Sequence, residues 1–117
     1  MEYSAYLPDI DVEDGKARVM QNMKLYLRLL DKFDGKKMAE SVSQAVATGD
    51  VVEIVQAAHA LRGTAANLGF PVVLLIAEEI EILAKSGKDC EHLLTQLEDA
   101  AVSLSASIDS LIDSYEG

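Results

Sequence analysis

From Asp50 onward, apolar residues recur at steps of mostly three and four, in three runs separated by Gly69-Phe70-Pro71 and by Gly87. Val51, Ile54, Ala58, Leu61, Ala65 and Leu68 form one seam. Val73, Ile76, Ala77, Ile80 and Leu83 form a second, and Leu97, Ala101, Leu104, Ile108 and Leu111 a third. This spacing matches the α-helical repeat and gives each run one apolar face, whereas a half-buried strand would alternate every second residue. Gly just past a helix end and Pro at the start of the next is the usual asymmetry of helix termini.

The first half of the chain carries the same punctuation. Asp11 caps a short helix over about 11–20, and Asn22 caps a longer one with Met23, Tyr26, Leu27, Leu30 and Phe33 on its stripe. Asp34-Gly35 breaks that helix. Lys36 to Thr48 forms the next, with Met38, Val42, Ala45 and Val46 inward and Gly49 as terminator. Asp89 caps the last helix. Connections of two to five residues favour antiparallel neighbours. The expected fold is therefore all-α: an antiparallel up-down four-helix bundle over about 22–114, with an additional short N-terminal helix. No repeat, low-complexity tract or linker divides the chain, so residues 1–117 read as one domain.

Composition narrows the function. Half the residues are apolar but only 5% are aromatic, a mix suited to helix packing. A net charge of −10 excludes nucleic acid as the expected partner, since phosphate backbones attract clustered Lys and Arg. No apolar run approaches the roughly 20 residues that span a bilayer, and Met1-Glu2-Tyr3-Ser4 lacks the start of a signal peptide. The one cysteine, Cys90, allows no internal disulfide, and a cytoplasmic monomer is the default expectation. Cys90 and His92 show no metal-ligand spacing and read as surface or boundary residues, so no metal or cofactor is expected. Glu78, Glu79 and Glu81 read as a solvated acidic face, and Met20, Met23 and Met38 as core. Asp109-Ser110-Leu111 matches the motif that carries the prosthetic arm of acyl carriers. It lies inside the last seam, where Leu111 must be buried, and reads as coincidence.

The helix from Asp50 to Gly69 carries the chemistry. Its seam centres roughly 140° around the helix from His59, which puts the imidazole at the surface. Val52, Val55, Gln56, Arg62, Gly63 and Ala66 share its face. Gly63, in mid-helix, costs about 1 kcal/mol relative to Ala and would clear space beside the ring. Arg62 offers a fork of donors suited to phosphoryl oxygens. Imidazole is a nucleophile in its neutral form, which is well populated near neutral pH. From spacing alone an exposed helical histidine is most often just a surface residue, Gly63 could mark a helix crossing, and Arg62 could be a solvated charge.

The run Ala58-His59-Ala60-Leu61-Arg62-Gly63-Thr64-Ala65-Ala66-Asn67-Leu68-Gly69 closely resembles the signature of histidine-containing phosphotransfer (HPt) domains. That signature is a His, a basic residue three on, Gly next, then Asn and Gly. Ile10-Asp11-Val12-Glu13-Asp14-Gly15 and Leu25-Tyr26-Leu27-Arg28-Leu29-Leu30-Asp31-Lys32-Phe33 resemble the opening of bacterial members, so the likeness covers nearly the whole chain. It implies the same bundle. His59 would accept the phosphoryl group on Nε2, Arg62 would hold it, and Gly63 would give a partner room. Many members have Lys where this chain has Arg62, which leaves only the detail of phosphate contact open. The implied partners are response-regulator receiver domains or a hybrid sensor kinase, docking on Val52, Val55, Gln56, Gly63 and Ala66. Mg²⁺ would belong to the receiver, and the chain would be a carrier with no kinase activity of its own. The competing expectation is an HPt-like adaptor that binds receivers without relaying phosphate.

Overall fold

The computed structural model describes residues 3–115, and every regular element among them is helical. A single 3₁₀ turn at Ser4–Tyr6 precedes α1 (Val12–Ala17), α2 (Met23–Lys32), α3 (Gly35–Thr48), α4 (Val51–Leu68), α5 (Pro71–Lys85) and α6 (Glu91–Ser114). The helices begin where short polar side chains can take up otherwise unpaired N–H groups. Asp11 accepts from the Asp14 amide, Asn22 from Leu25, Asp34 from Lys37 and Asp50 from Val52. Asp34-Gly35 is thus a cap and a first helical residue as well as a break.

Helices α3 to α6 form the four-helix bundle. Each packs on the next, α3 closes against α6, and the α4–α5 pair is the most extensive contact. Two-residue connections join α3 to α4 and α4 to α5, which forces neighbouring helices to reverse direction. The α6 stripe of Leu97, Ala101, Leu104, Ile108 and Leu111 is buried, as are Ile54, Ala58, Leu61 and Ala65 of α4.

Helices α1 and α2 lie over α4 and α6 as a cap, so the N-terminal addition is two helices. Helix α1 stops at Ala17, short of the expected Met20, because Met20 and Gln21 adopt positive φ of 58° and 63°. That turn also leaves Met20 outside the core, 91% exposed. The cap is fastened at the C-terminal end of α4. The Asp11 amide donates to the Gly69 carbonyl at 2.7 Å, and the Tyr26 hydroxyl donates to the Leu68 carbonyl at 2.5 Å. Gly69 is left-handed at φ 80°, and a Cβ there would run into the Asp11 carbonyl.

Three other expectations are corrected. Val51 is 45% exposed, since it is the first residue of α4 beside the exposed Gly49-Asp50 turn. Cys90 is buried at the head of α6. On α5 the buried stripe runs Val73, Ile76, Ala77, Ile80, Glu81 and Ala84, with Leu83 only half-buried.

Candidate functional site

The stripe on α5 bears directly on His59. Val73, Ala77, Glu81 and Ala84 follow one another at steps of four, four and three, so Glu81 occupies a seam position rather than a solvated face. Its side chain is 7% exposed, and Glu81 is the buried charged residue among those described. A charge in that position requires partners. The partners come from α4 and from the next turn of α5. Oε1 lies 3.1 Å from His59 Nδ1, while Oε2 lies 3.6 Å from an Arg62 nitrogen and 3.7 Å from Lys85 Nζ.

Burial alone would push the Glu81 carboxyl up. The hydrogen bond to His59 and the charges of Arg62 and Lys85 outweigh that and hold it below its ordinary value, so it is an acceptor only. An Arg62 nitrogen also lies 3.1 Å from His59 Nδ1, but one ring nitrogen cannot both donate to a carboxylate and accept from a guanidinium. The carboxylate cannot donate, so in the neutral ring Nδ1 carries the proton and gives it to Glu81. Arg62 is then held by Oε2 rather than by the ring. Nε2 is left with its lone pair free, on a side chain 67% exposed to solvent. Glu81 therefore holds the neutral ring in one tautomer with Nε2 outward.

The sequence-predicted residues fall around this centre unevenly. Val52, Gln56 and Gly63 are exposed on α4, whereas Val55, Arg62 and Ala66 are half-buried towards its neighbours. An added Cβ on Gly63 would meet nothing within 4 Å, so no packing inside the chain calls for glycine there. His92 is exposed on α6 and Cys90 is buried, and neither makes a side-chain hydrogen bond with the His59 cluster. Glu81 and Lys85 are the members that sequence reasoning missed. Their signal was a glutamate in phase with Ala77 and Ala84, a polar residue where the stripe demands an apolar one.

A ring nitrogen with a free lone pair at the surface, a buried carboxylate behind it and two cations paired with that carboxylate, all on helices, suit the carriage of a group on the ring. Comparison with known proteins agrees. The Hpt domain family model matches residues 34–107, more than half of the chain, and this chain belongs to that family. The family comprises the histidine phosphotransfer domains of two-component phosphorelays, which work with kinases and receivers. Among solved structures it is similar to histidine-containing phosphotransfer protein B (HptB) from Pseudomonas aeruginosa PAO1, with a TM-score of 0.82 and 22% identity over 94% of this chain and 99% of that one. It is also similar to the HPT domain of the Hpt sensor hybrid histidine kinase from Shewanella, with a TM-score of 0.73 and 17% identity over 93% and 97% of the two chains. At these identities the likeness speaks for the fold. No curated protein sequence matches the chain. No described helix is long and apolar enough to cross a membrane.

Proposed function

We propose that His59 relays a phosphoryl group between the aspartates of response-regulator receivers. The observation that carries this reading is the contact of His59 Nδ1 with buried Glu81, which leaves Nε2 as the outward nucleophile. In the forward step the Nε2 lone pair attacks the phosphorus of a receiver's phospho-aspartate. The N–P bond forms, the P–O bond to the acyl oxygen breaks, and the carboxylate leaves with the electron pair. The ring becomes a phosphoimidazolium that keeps its Nδ1 proton, and Glu81 offsets the positive charge as it develops. Arg62, close to the ring, and Lys85, paired with Glu81, are the cations on hand for the phosphoryl oxygens. No proton is exchanged with solvent, so the same steps in reverse deliver the group to a second receiver. Mg²⁺ belongs to the receiver's aspartate pocket, and the carrier supplies no kinase activity.

The test is transfer from a panel of labelled receivers and sensor kinases to this protein, with His59→Gln beside it. The expected result is a label on wild type that is acid-labile and base-stable, as phosphohistidine is, and none on a folded His59→Gln. Receivers that bind but never transfer would replace the relay with an adaptor.

A further inference from the structure

Two cations share one oxygen of the Glu81 carboxylate. Oε2 lies 3.6 Å from an Arg62 nitrogen and 3.7 Å from Lys85 Nζ, while Oε1 is taken by His59 Nδ1. Among the described residues no other charged side chain pairs with Glu81, and α6, which packs on α5, supplies none. The two cations reach it differently. Arg62 stands three residues after His59 on α4, with one nitrogen 3.1 Å from the ring. Lys85 stands one turn after Glu81, in the last turn of α5, and makes no hydrogen bond with the ring. A Glu followed by Lys four residues on, and a cation near a helix C-terminus, are both ordinary. What sets this pair apart is that the glutamate is buried and shares its other cation with the site of reaction.

We infer that Lys85 is a positioning residue, which acts by holding the Glu81 carboxylate in place while Arg62 turns to the phosphoryl group on His59. This rests on the relay reading. Nε2 lies across the ring from Nδ1, so a guanidinium drawn to phosphoryl oxygens there is drawn away from Oε2. For a carboxylate only 7% exposed, losing its cation costs far more than it would at the surface. Glu81 could relieve that cost by taking up a proton, the direction in which burial alone pushes it. A protonated Glu81 would donate to Nδ1, and the neutral ring would then carry its own proton on Nε2, with no lone pair left for phosphorus. Lys85 prevents this. It belongs to the same helix as Glu81, so its reach to Oε2 does not depend on α4 or on what the ring carries. Its side chain is 61% exposed, so the ammonium keeps much of its hydration while it holds the buried oxygen. Arg62 is thereby released for the phosphoryl group without loss of the Nδ1 contact.

The experiment is a double-mutant cycle on wild type, Lys85→Met, Glu81→Gln and the two combined, with Lys85→Arg as the rescue. Each is labelled by a phosphorylated receiver and, separately, by phosphoramidate, a small donor that needs no docking surface. Lys85→Met should lower the maximal rate from both donors about fivefold, the upper end of what an exposed ion pair is worth. The receiver concentration at half-maximal rate should not change, since Lys85 is not asked to bind the receiver. Lys85→Arg should return the rate to within about twofold of wild type, as it restores the cation. In the Glu81→Gln background, where no carboxylate remains to be held, Lys85→Met should have no further effect. A Lys85→Met loss equally large in that background would overturn the inference and make Lys85 a direct phosphoryl contact. An unchanged rate in the single variant would overturn it too, and leave the relay standing. A wild type labelled by phosphoramidate but by no receiver would overturn the relay reading, while the phosphoramidate cycle would still decide whether Lys85 acts through Glu81.

Discussion

Nδ1 of His59 donates to the carboxylate of Glu81 across 3.1 Å, and that one contact decides which ring nitrogen keeps its lone pair free towards solvent. The imidazole is otherwise solvent-exposed and would populate both tautomers. In the proposed relay, holding Nδ1–H towards the bundle would spare the site a reorganisation in each transfer, and the fixed negative charge would favour the phosphoimidazolium over the neutral ring.

Removing Glu81 should therefore slow the chemistry without unfolding the protein. Glu81→Ala is expected to lower the transfer rate about tenfold, equivalent to ~1.4 kcal/mol of barrier. Glu81→Gln keeps an oxygen that accepts the Nδ1 proton and should fall between. The structural readout is the ¹⁵N spectrum of the His59 ring. Wild type should show Nε2 unprotonated in the neutral form, Glu81→Gln the same, and Glu81→Ala a mixture. An unmixed tautomer in Glu81→Ala would show that something other than Glu81 orients the ring.

Tyr26 ties α2 to the end of the helix that bears His59, and it should make the fold sensitive to alkali. Its hydroxyl is pushed up first by burial and then by the carboxylates of Asp11 and Asp14. A group with a raised folded pKa contributes stability fully present below its unfolded value, about 10 for tyrosine, and lost as pH rises through the folded value. Urea denaturation should thus show stability falling above about pH 10. Tyr26→Phe should cost about 1 kcal/mol at neutral pH through the lost bond to the Leu68 carbonyl, and should weaken the alkaline decline. An equally steep decline in the variant would place the titrating group elsewhere.

The bundle was legible in the chain because α4 and α6 obey the simplest pattern, an apolar stripe between a polar cap and a stop. Leu104 and Leu111 needed nothing but their period. Helix α5 was harder, since Glu81 stands where the stripe calls for an apolar residue, and polarity alone assigns it to water. His59 and Arg62, arriving from another helix, join Lys85 of the next turn in making that position tenable. The His59 motif itself was readable through resemblance, whereas its dependence on Glu81, 22 residues away, was not. The fastening of Asp11 to Gly69 joins two turns distant in sequence, and short-range signals show each turn without the bond between them. Cys90 looked like a boundary residue because it adjoins Asp89 and Glu91, yet it points into the core.

The corrected seam gives a stability prediction with a built-in contrast. Leu61 and Leu104 are each 1% exposed, so truncation to Ala should cost roughly 2–5 kcal/mol through lost burial and the cavity left behind. Val51 belongs to the same sequence pattern as Leu61 but sits at the exposed start of α4, and Val51→Ala should change stability by about 0.5 kcal/mol or less. Chemical denaturation of the three variants checks the ranking. A Val51→Ala loss as large as that of Leu61→Ala would mean the start of α4 is covered after all.

Gly63 offers a variant in which stability and function should move in opposite directions. The residue lies inside α4 with ordinary helical geometry, and a methyl group there would touch nothing in the chain. Gly63→Ala should then stabilise the fold by up to about 1 kcal/mol, the helix-propensity difference, raising the denaturation midpoint. The same methyl would project on the face that carries Nε2, one turn along from His59, where in the proposed relay a receiver brings its aspartate to bonding distance. Transfer from a phosphorylated receiver should accordingly fall several-fold, while labelling by phosphoramidate stays at the wild-type rate. A glycine kept for closeness to a partner predicts that split. A variant both more stable and fully active in transfer would remove steric clearance as the reason for glycine at this position.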